Sequence, residues 1–230
     1  DILSNKIENI FNQHKIPSLS VIITNKNKNI LEQYYGYNHI EKQIPFNENS
    51  IVRIASMTKP ITSLCIFQLI ERNLISLETN IEDIDKRFSD IKIVQLIGDK
   101  PEYSKANTKI KIKHLLNHTS GYGYQFLNPE IKFLVDQKIL QDIQNDGEDF
   151  LDAPILFEPG TRWNYGISTD LLGYIIEKLT YKKLDEYMKE NLFNQLGMKN
   201  TTFSLDKNKY NNLAYTVSYT HLTLPTISDV

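Results

Sequence analysis

One cysteine and one tryptophan occur in 230 residues. The lone Cys65 excludes an internal disulfide and a cysteine-rich zinc site, and its place in an apolar run assigns it to core packing. The redox compartment stays open. Long apolar stretches are also missing: lysine, asparagine or another polar residue interrupts each one before bilayer length, so no membrane span is expected. Neither sign of charge is in excess. A net charge of −2, spread along the whole length, leaves no stripe for nucleic acid or an anionic membrane and points to a small-molecule partner. No internal repeat is present.

What is there fits a globular, soluble domain, with 40% hydrophobic and 23% charged residues and enough chain for one sizeable core or two small ones. Residues 1–14 carry Ile2, Leu3, Ile7, Ile10 and Phe11 at helical spacing and predict an amphipathic helix. Ser18 to Thr24 and Ile30 to Tyr37 read as two strands of a hairpin around the polar loop Asn25 to Asn29. The run Ile51 to Ala55 leads into Ser56, and Ile61 to Ile70, apolar nearly all round, predicts a buried helix. Residues 71–109 read as polar and irregular, and Ile112 to Asn117 as a short helix stopping at His118-Thr-Ser-Gly121. Further helices are expected over 130–144, 168–180 and 183–196, with a turn at Glu158 to Thr161 before an extended piece ending at Tyr165. Helix-rich blocks around one hairpin predict an α+β fold with segregated helices. The chain starts at Asp1, which leaves room for an export signal removed or lying outside it.

The candidate chemistry is a Ser-x-x-Lys pair, which occurs three times: Ser56 with Lys59, Ser89 with Lys92, and Ser204 with Lys207. Only the first stands where a strand-like run turns into an apolar helix; the other two read as solvated loops. Residues three apart on a helical turn share a face, so the Lys59 amine can reach the Ser56 hydroxyl. A free lysine titrates near about 10.4, so a base at neutral pH must lose roughly three units. Burial and the positive end of a helix dipole both act in that direction. The same dipole favours an oxyanion at the Ser56 N–H, with a second donor needed from elsewhere. On spacing alone an equal reading stands: Ser56 as an N-cap and Lys59 as a solvated first-turn residue.

Four segments carry a family resemblance: Arg53-Ile-Ala-Ser-Met-Thr-Lys59, Ile112-Lys-His-Leu-Leu-Asn-His-Thr-Ser-Gly121, Glu158-Pro-Gly-Thr-Arg-Trp-Asn-Tyr165, and Leu196-Gly-Met-Lys-Asn-Thr-Thr-Phe203. In order and separation they resemble the serine β-lactamase-related superfamily, above all its class C β-lactamase, D-alanyl-D-alanine carboxypeptidase and family VIII-type esterase branches. The resemblance implies a β-lactamase/transpeptidase-like fold, with an antiparallel sheet beside a helical subdomain. It also implies an acyl-serine mechanism with Ser56, Lys59 and Tyr165 as catalytic residues. By itself, the sequence favours an aromatic packing role for Tyr165 beside Trp163; the resemblance makes it a proton relay. His118 is then a structural brace. His114 and His118 have the spacing of paired zinc ligands, but Leu115 replaces the glutamate a zinc protease needs, so no metal is assigned, and no cofactor. No Gly-x-Ser-x-Gly elbow supports an α/β-hydrolase.

Two departures shape the expectation. Relatives acting on β-lactams and peptides carry Tyr-x-Asn, whereas Tyr165-Gly166-Ile167 stands here, favouring a small ester over a β-lactam or D-Ala-D-Ala substrate; Tyr210-Asn211-Asn212 matches only by chance. The family's third motif, Lys-Thr-Gly, His-x-Gly or Trp-x-Gly, is absent. The expected organisation is therefore residues 1–216 as the N-terminal part of such a domain, C-terminally truncated and inactive or weakly active, with residues 217–230 a non-native tail. A periplasmic, cell-envelope or secreted location follows from the resemblance alone. From another class, a non-catalytic module holding peptidoglycan-like ligands in the same groove remains the alternative.

Overall fold

The computed structural model describes residues 2–14, 16–143, 147–215, 217–218 and 226–227. Its contacts divide the chain into two compact units, residues 1–55 with 200–230, and residues 56–199.

In the first unit the predicted helix forms as α1 (Ile2–His14). The hairpin forms as β1 (Ser18–Thr24) and β2 (Asn29–His39), joined by a short β3 (Ile44–Pro45) in an antiparallel sheet of order β1-β2-β3. Phe11 of α1 stacks on Tyr35 of β2 at 5.3 Å between ring centres. Register is set at Ser18 opposite Gly36, where φ is +81° and a Cβ would lie 2.1 Å from the Pro17 carbonyl oxygen, so only glycine fits. Residues 51 and 213 form a parallel bridge, closed by Ile51 N–H to Asn212 O at 2.7 Å and Ala214 N–H to Ile51 O at 2.8 Å.

The second unit holds the main core, with α2 (Thr58–Glu71), α3 (Ile81–Ile84), the hairpin β4 (Lys92–Ile97) and β5 (Lys100–Lys105), α4 (Ile112–Leu116), α5 (Pro129–Asp136), α6 (Ser168–Thr180) and α7 (Leu184–Met188). A π-helical turn, Lys189–Phe193, continues from α7. Helix α6 is central: Leu171, Leu172, Ile175 and Ile176 are fully buried and pack with Cys65, Ile66 and Leu69 of α2 and Ile112 and Leu115 of α4. Each such side chain contributes about 1.5–3 kcal/mol of transfer free energy. Cys65 is a core residue, and burial pushes its thiol up to about 11. Antiparallel strands with segregated helices make this an α+β arrangement.

Three expectations are corrected. Helix α2 is not buried all round, because Leu64 and Phe67 on its other face are 45% and 50% exposed. The stretch 71–109 is not irregular: Ile93, Val94, Leu96 and Ile97 belong to β4, and Gly98-Asp99, with Gly98 at φ +60°, turns the chain into β5. The helix expected over 130–144 ends at Asp136, since Lys138 takes a left-handed φ of +57° that terminates it. Of the expected tail, only β6 (Val217–Ser218) and β7 (Thr226–Ile227), an antiparallel pair, are described; the rest lies outside the described residues.

One polar link ties α6 to the segment after α3. Tyr174 Oη donates to the Asp85 carboxylate at 2.6 Å, the Arg87 N–H at 2.9 Å and Lys178 Nζ at 2.9 Å, and together they hold its pKa well below the usual carboxylate range. A depressed folded pKa stabilises above the unfolded value of about 3.9, and the benefit is lost as pH falls through the folded value. Asp85→Asn should therefore lower the denaturation midpoint at about pH 7, with the gap from wild type closing below about pH 4. Leu172→Ala should cost about 2–5 kcal/mol in chemical denaturation, whereas Leu64→Ala on the open face of α2 should cost about 1 kcal/mol or less.

Candidate active site

Ser56 lies in a 3₁₀ turn, Ala55–Met57, immediately ahead of α2, not inside the first α-helical turn. The difference helps the pairing, because three residues per turn bring positions i and i+3 into line. Ala55, just before it, has a φ of +43°, a left-handed value that costs an alanine conformational energy and concentrates strain beside the hydroxyl. Lys59 Nζ donates to Ser56 Oγ at 3.3 Å. Ser56 is exposed and Lys59 half-buried, so the desolvation that the sequence argument required of Lys59 is only partial.

Tyr165 arrives from the segment ahead of α6, and its Oη donates to Ser56 Oγ at 2.8 Å. Lys59 Nζ also lies 4.8 Å from the centre of its ring. Burial pushes the Tyr165 phenol up, but its hydrogen bonding with Lys59 and Ser56 and the nearby ammonium charge outweigh it, leaving the phenol below its ordinary value. The three residues singled out from sequence thus meet at one hydroxyl. The other Ser-x-x-Lys pairs do not resemble it: Ser89 lies within the 3₁₀ turn Lys86–Asp90 while Lys92 opens β4, and Ser204 is exposed in a loop.

The His-Thr-Ser-Gly loop holds this geometry from beneath. Thr119 O accepts from Gly160 N–H at 2.7 Å and His118 O from Asn164 N–H at 2.9 Å, fixing the backbone one residue before Tyr165. Ser120 and Ser168 hydroxyls bond at 2.8 Å in the interior, tying the loop to the start of α6. The His118 ring is 5.0 Å from that of Tyr165, and burial, then the Lys59 charge, lowers its pKa, so it stays neutral. Glu158 accepts from the N–H groups of Asn107 and Thr108, at 2.9 Å for the shorter bond to each. Ile167, two residues beyond Tyr165, is 4% exposed and packs in the core.

Two neighbours were not found by sequence reasoning. Tyr124 packs 5.5 Å from the Tyr165 ring and 5.6 Å from Lys59 Nζ, and its Oη donates to Asp170 Oδ2 at 3.0 Å. Asn128 positions it, accepting from Tyr124 N–H at 3.0 Å and donating to Asn164 Oδ1 at 3.1 Å. The only signals were an aromatic three residues beyond Gly121 and an acid in the first turn of α6.

A serine whose hydroxyl meets a lysine and an acidified tyrosine, gathered at the starts of α2 and α6, is the arrangement that the resemblance to serine β-lactamases implied. The chain matches the Beta-lactamase family model over residues 3–226 and belongs to that family. It is 31% identical over 169 residues to monacolin J acid methylbutanoyltransferase of Aspergillus terreus, covering 71% of this chain and 40% of that protein. To lovastatin esterase of Penicillium rubens it is 30% identical over 167 residues, covering 71% and 42%. The solved structure of unliganded simvastatin synthase (LovD) from Aspergillus terreus matches with a TM-score of 0.86 at 25% identity, over 99% of this chain and 59% of that one. The chain thus spans about 40% of the length of the two curated relatives.

The ionisation of Tyr165 tests the arrangement directly. In a phenolate absorbance titration, the tyrosine that disappears in Tyr165→Phe should ionise below the ordinary value. In Lys59→Met the same group should move upward, because the lowering contacts go and burial remains.

Proposed function

We propose that this chain carries the nucleophile and proton-transfer groups of a serine hydrolase that works through an acyl-serine intermediate on small esters. The observation that supports it is the convergence of Lys59 and Tyr165 on Ser56 Oγ, at 3.3 Å and 2.8 Å. In this reading Tyr165 first gives its phenol proton to solvent, a loss the Lys59 ammonium favours, and the phenolate oxygen then takes the Ser56 proton as Oγ bonds to the ester carbonyl carbon. The Ser56 N–H, at the positive end of α2, faces the developing oxyanion. Collapse of the tetrahedral species breaks the carbon–oxygen bond to the alcohol, which leaves with the proton from Tyr165. Water then repeats the sequence on the acyl-serine and releases the acid. Ile167, buried where a substrate-binding amide would stand, supports an ester in preference to a β-lactam or peptide.

A second reading has support from the relatives' names, which include a methylbutanoyltransferase. In it an alcohol replaces water as the acyl acceptor, and the roles of Ser56, Lys59 and Tyr165 are unchanged.

A fluorophosphonate should add once to Ser56, seen by intact mass, and Ser56→Ala should abolish both the adduct and the p-nitrophenyl butyrate turnover, which is expected to be weak in a chain that spans about 40% of its relatives. Tyr165→Phe should slow turnover by about 10²–10⁴-fold. Absence of any adduct on the wild-type serine would favour the non-catalytic binding module, and turnover of nitrocefin without any ester would overturn the ester preference.

A further inference from the structure

Two tyrosine rings face the Lys59 ammonium. Its Nζ lies 4.8 Å from the centre of the Tyr165 ring and 5.6 Å from that of Tyr124, both within reach of a cation–π attraction. Lys59 needs such support: four methylenes separate its charge from the backbone, and its bond to Ser56 Oγ is long at 3.3 Å. Among the described residues no carboxylate lies within ion-pair distance of it. Its polar contacts run to the Ser56 and Tyr165 hydroxyls, the two groups that exchange protons in the proposed reaction. Tyr124 is a neighbour of the ammonium that stays the same while those two change.

Tyr124 is fixed at both ends. Its N–H donates to Asn128 Oδ1 at 3.0 Å, a contact that Gly123 leaves open, since a Cβ there would lie 2.4 Å from that oxygen. Asn128 donates in turn to Asn164 Oδ1 at 3.1 Å, and Asn164 Nδ2 donates to Tyr122 O at 2.9 Å, which joins the Tyr124 segment to the residue before Tyr165. At the far end of the ring the hydroxyl donates to Asp170 Oδ2 at 3.0 Å, a bond the carboxyl can accept in either protonation state. Phe126 stacks on the ring at 4.8 Å and 17°. Burial, with Asp170 beside it, pushes the Tyr124 phenol well above its ordinary value, so the ring stays neutral where Tyr165 ionises.

We infer that Tyr124 is a positioning residue: anchored by Asn128 and Asp170, its ring holds the Lys59 ammonium against Ser56 and Tyr165. This rests on the acyl-Ser56 reading and deepens it by naming what keeps the cation in place as the two hydroxyls lose and regain protons.

The test reads the ionisation of Tyr165 as the absorbance difference between each protein and its Tyr165→Phe counterpart. The titratable and charged groups facing that phenol are Lys59, which lowers it, Asp170, which raises it, the neutral His118, and Tyr124. Tyr124→Met removes the ring while refilling the space, and should raise the Tyr165 midpoint by about half a unit or more. Tyr124→Phe keeps the ring and should raise it by less. Replacing residue 124 by trifluorophenylalanine, which keeps the shape of phenylalanine but drains negative charge from the ring face, should raise it more than Tyr124→Phe does. In the Lys59→Met background all three changes should leave the midpoint where Lys59→Met alone puts it. The rate at which a fluorophosphonate adds to Ser56 should fall most in Tyr124→Met. Circular dichroism checks folding, and the comparison of the two phenylalanine forms decides the matter if Tyr124→Met does not fold. Equal midpoints across the series, or shifts of the same size with and without Lys59, would overturn the inference while leaving the acyl-serine reading standing. A wild-type Ser56 that takes no fluorophosphonate would overturn that reading, whereas the Tyr165 midpoints would still report whether Tyr124 holds Lys59.

Discussion

The packing of α6 against α2 is the constraint on which the site depends. Leu171, Leu172, Ile175 and Ile176 meet Cys65, Ile66 and Leu69 in a water-free layer, and both helices begin at the same end of it. Ser56 stands two residues ahead of α2 and Tyr165 three ahead of α6, so the hydrophobic contact between the helix bodies brings the two hydroxyls to 2.8 Å. A shift of one helix along the other would separate them. Apolar burial, which has no directionality of its own, thus positions a directional hydrogen bond.

Precision comes from polar contacts laid over that packing. The loop at 118–121 and the segment at 158–165 exchange backbone hydrogen bonds, and the Ser120–Ser168 pair joins the loop to α6. The Ser120–Ser168 bond is buried, where leaving it unmade costs more than making it gains, and that asymmetry favours a single arrangement. Electrostatics then differentiates the groups. Lys59 makes Tyr165 more acidic, burial and then the Lys59 charge keep His118 neutral, and Asp170 anchors Tyr124.

Much of the architecture was legible because periodicity and turn chemistry are local. The limits of α1, β1, β2, α4 and α6 follow from apolar spacing and flanking polar residues. The hairpin β4–β5 was missed although Gly98-Asp99 is a recognisable two-residue turn, since Lys92, Gln95 and Lys100 gave the stretch a polar cast. Helix α5 was overextended because nothing in the identity of Lys138 announces a left-handed residue. The open face of α2 was misjudged for a related reason: apolar residues all round a helix state what can be buried, not what is.

The sequence by itself determined that a serine and a lysine three residues apart would share one face, because that relation depends only on the helical turn joining them. It also supplied, through its four segments, the family and the identity of Tyr165. The contact of Tyr165 with Ser56, across 109 residues, was decided by tertiary structure, as was the placing of Tyr124 and Asp170 beside them. Those relations are set by how helices pack in three dimensions, and no local pattern in the chain encodes the distance between residues that meet only when the core closes.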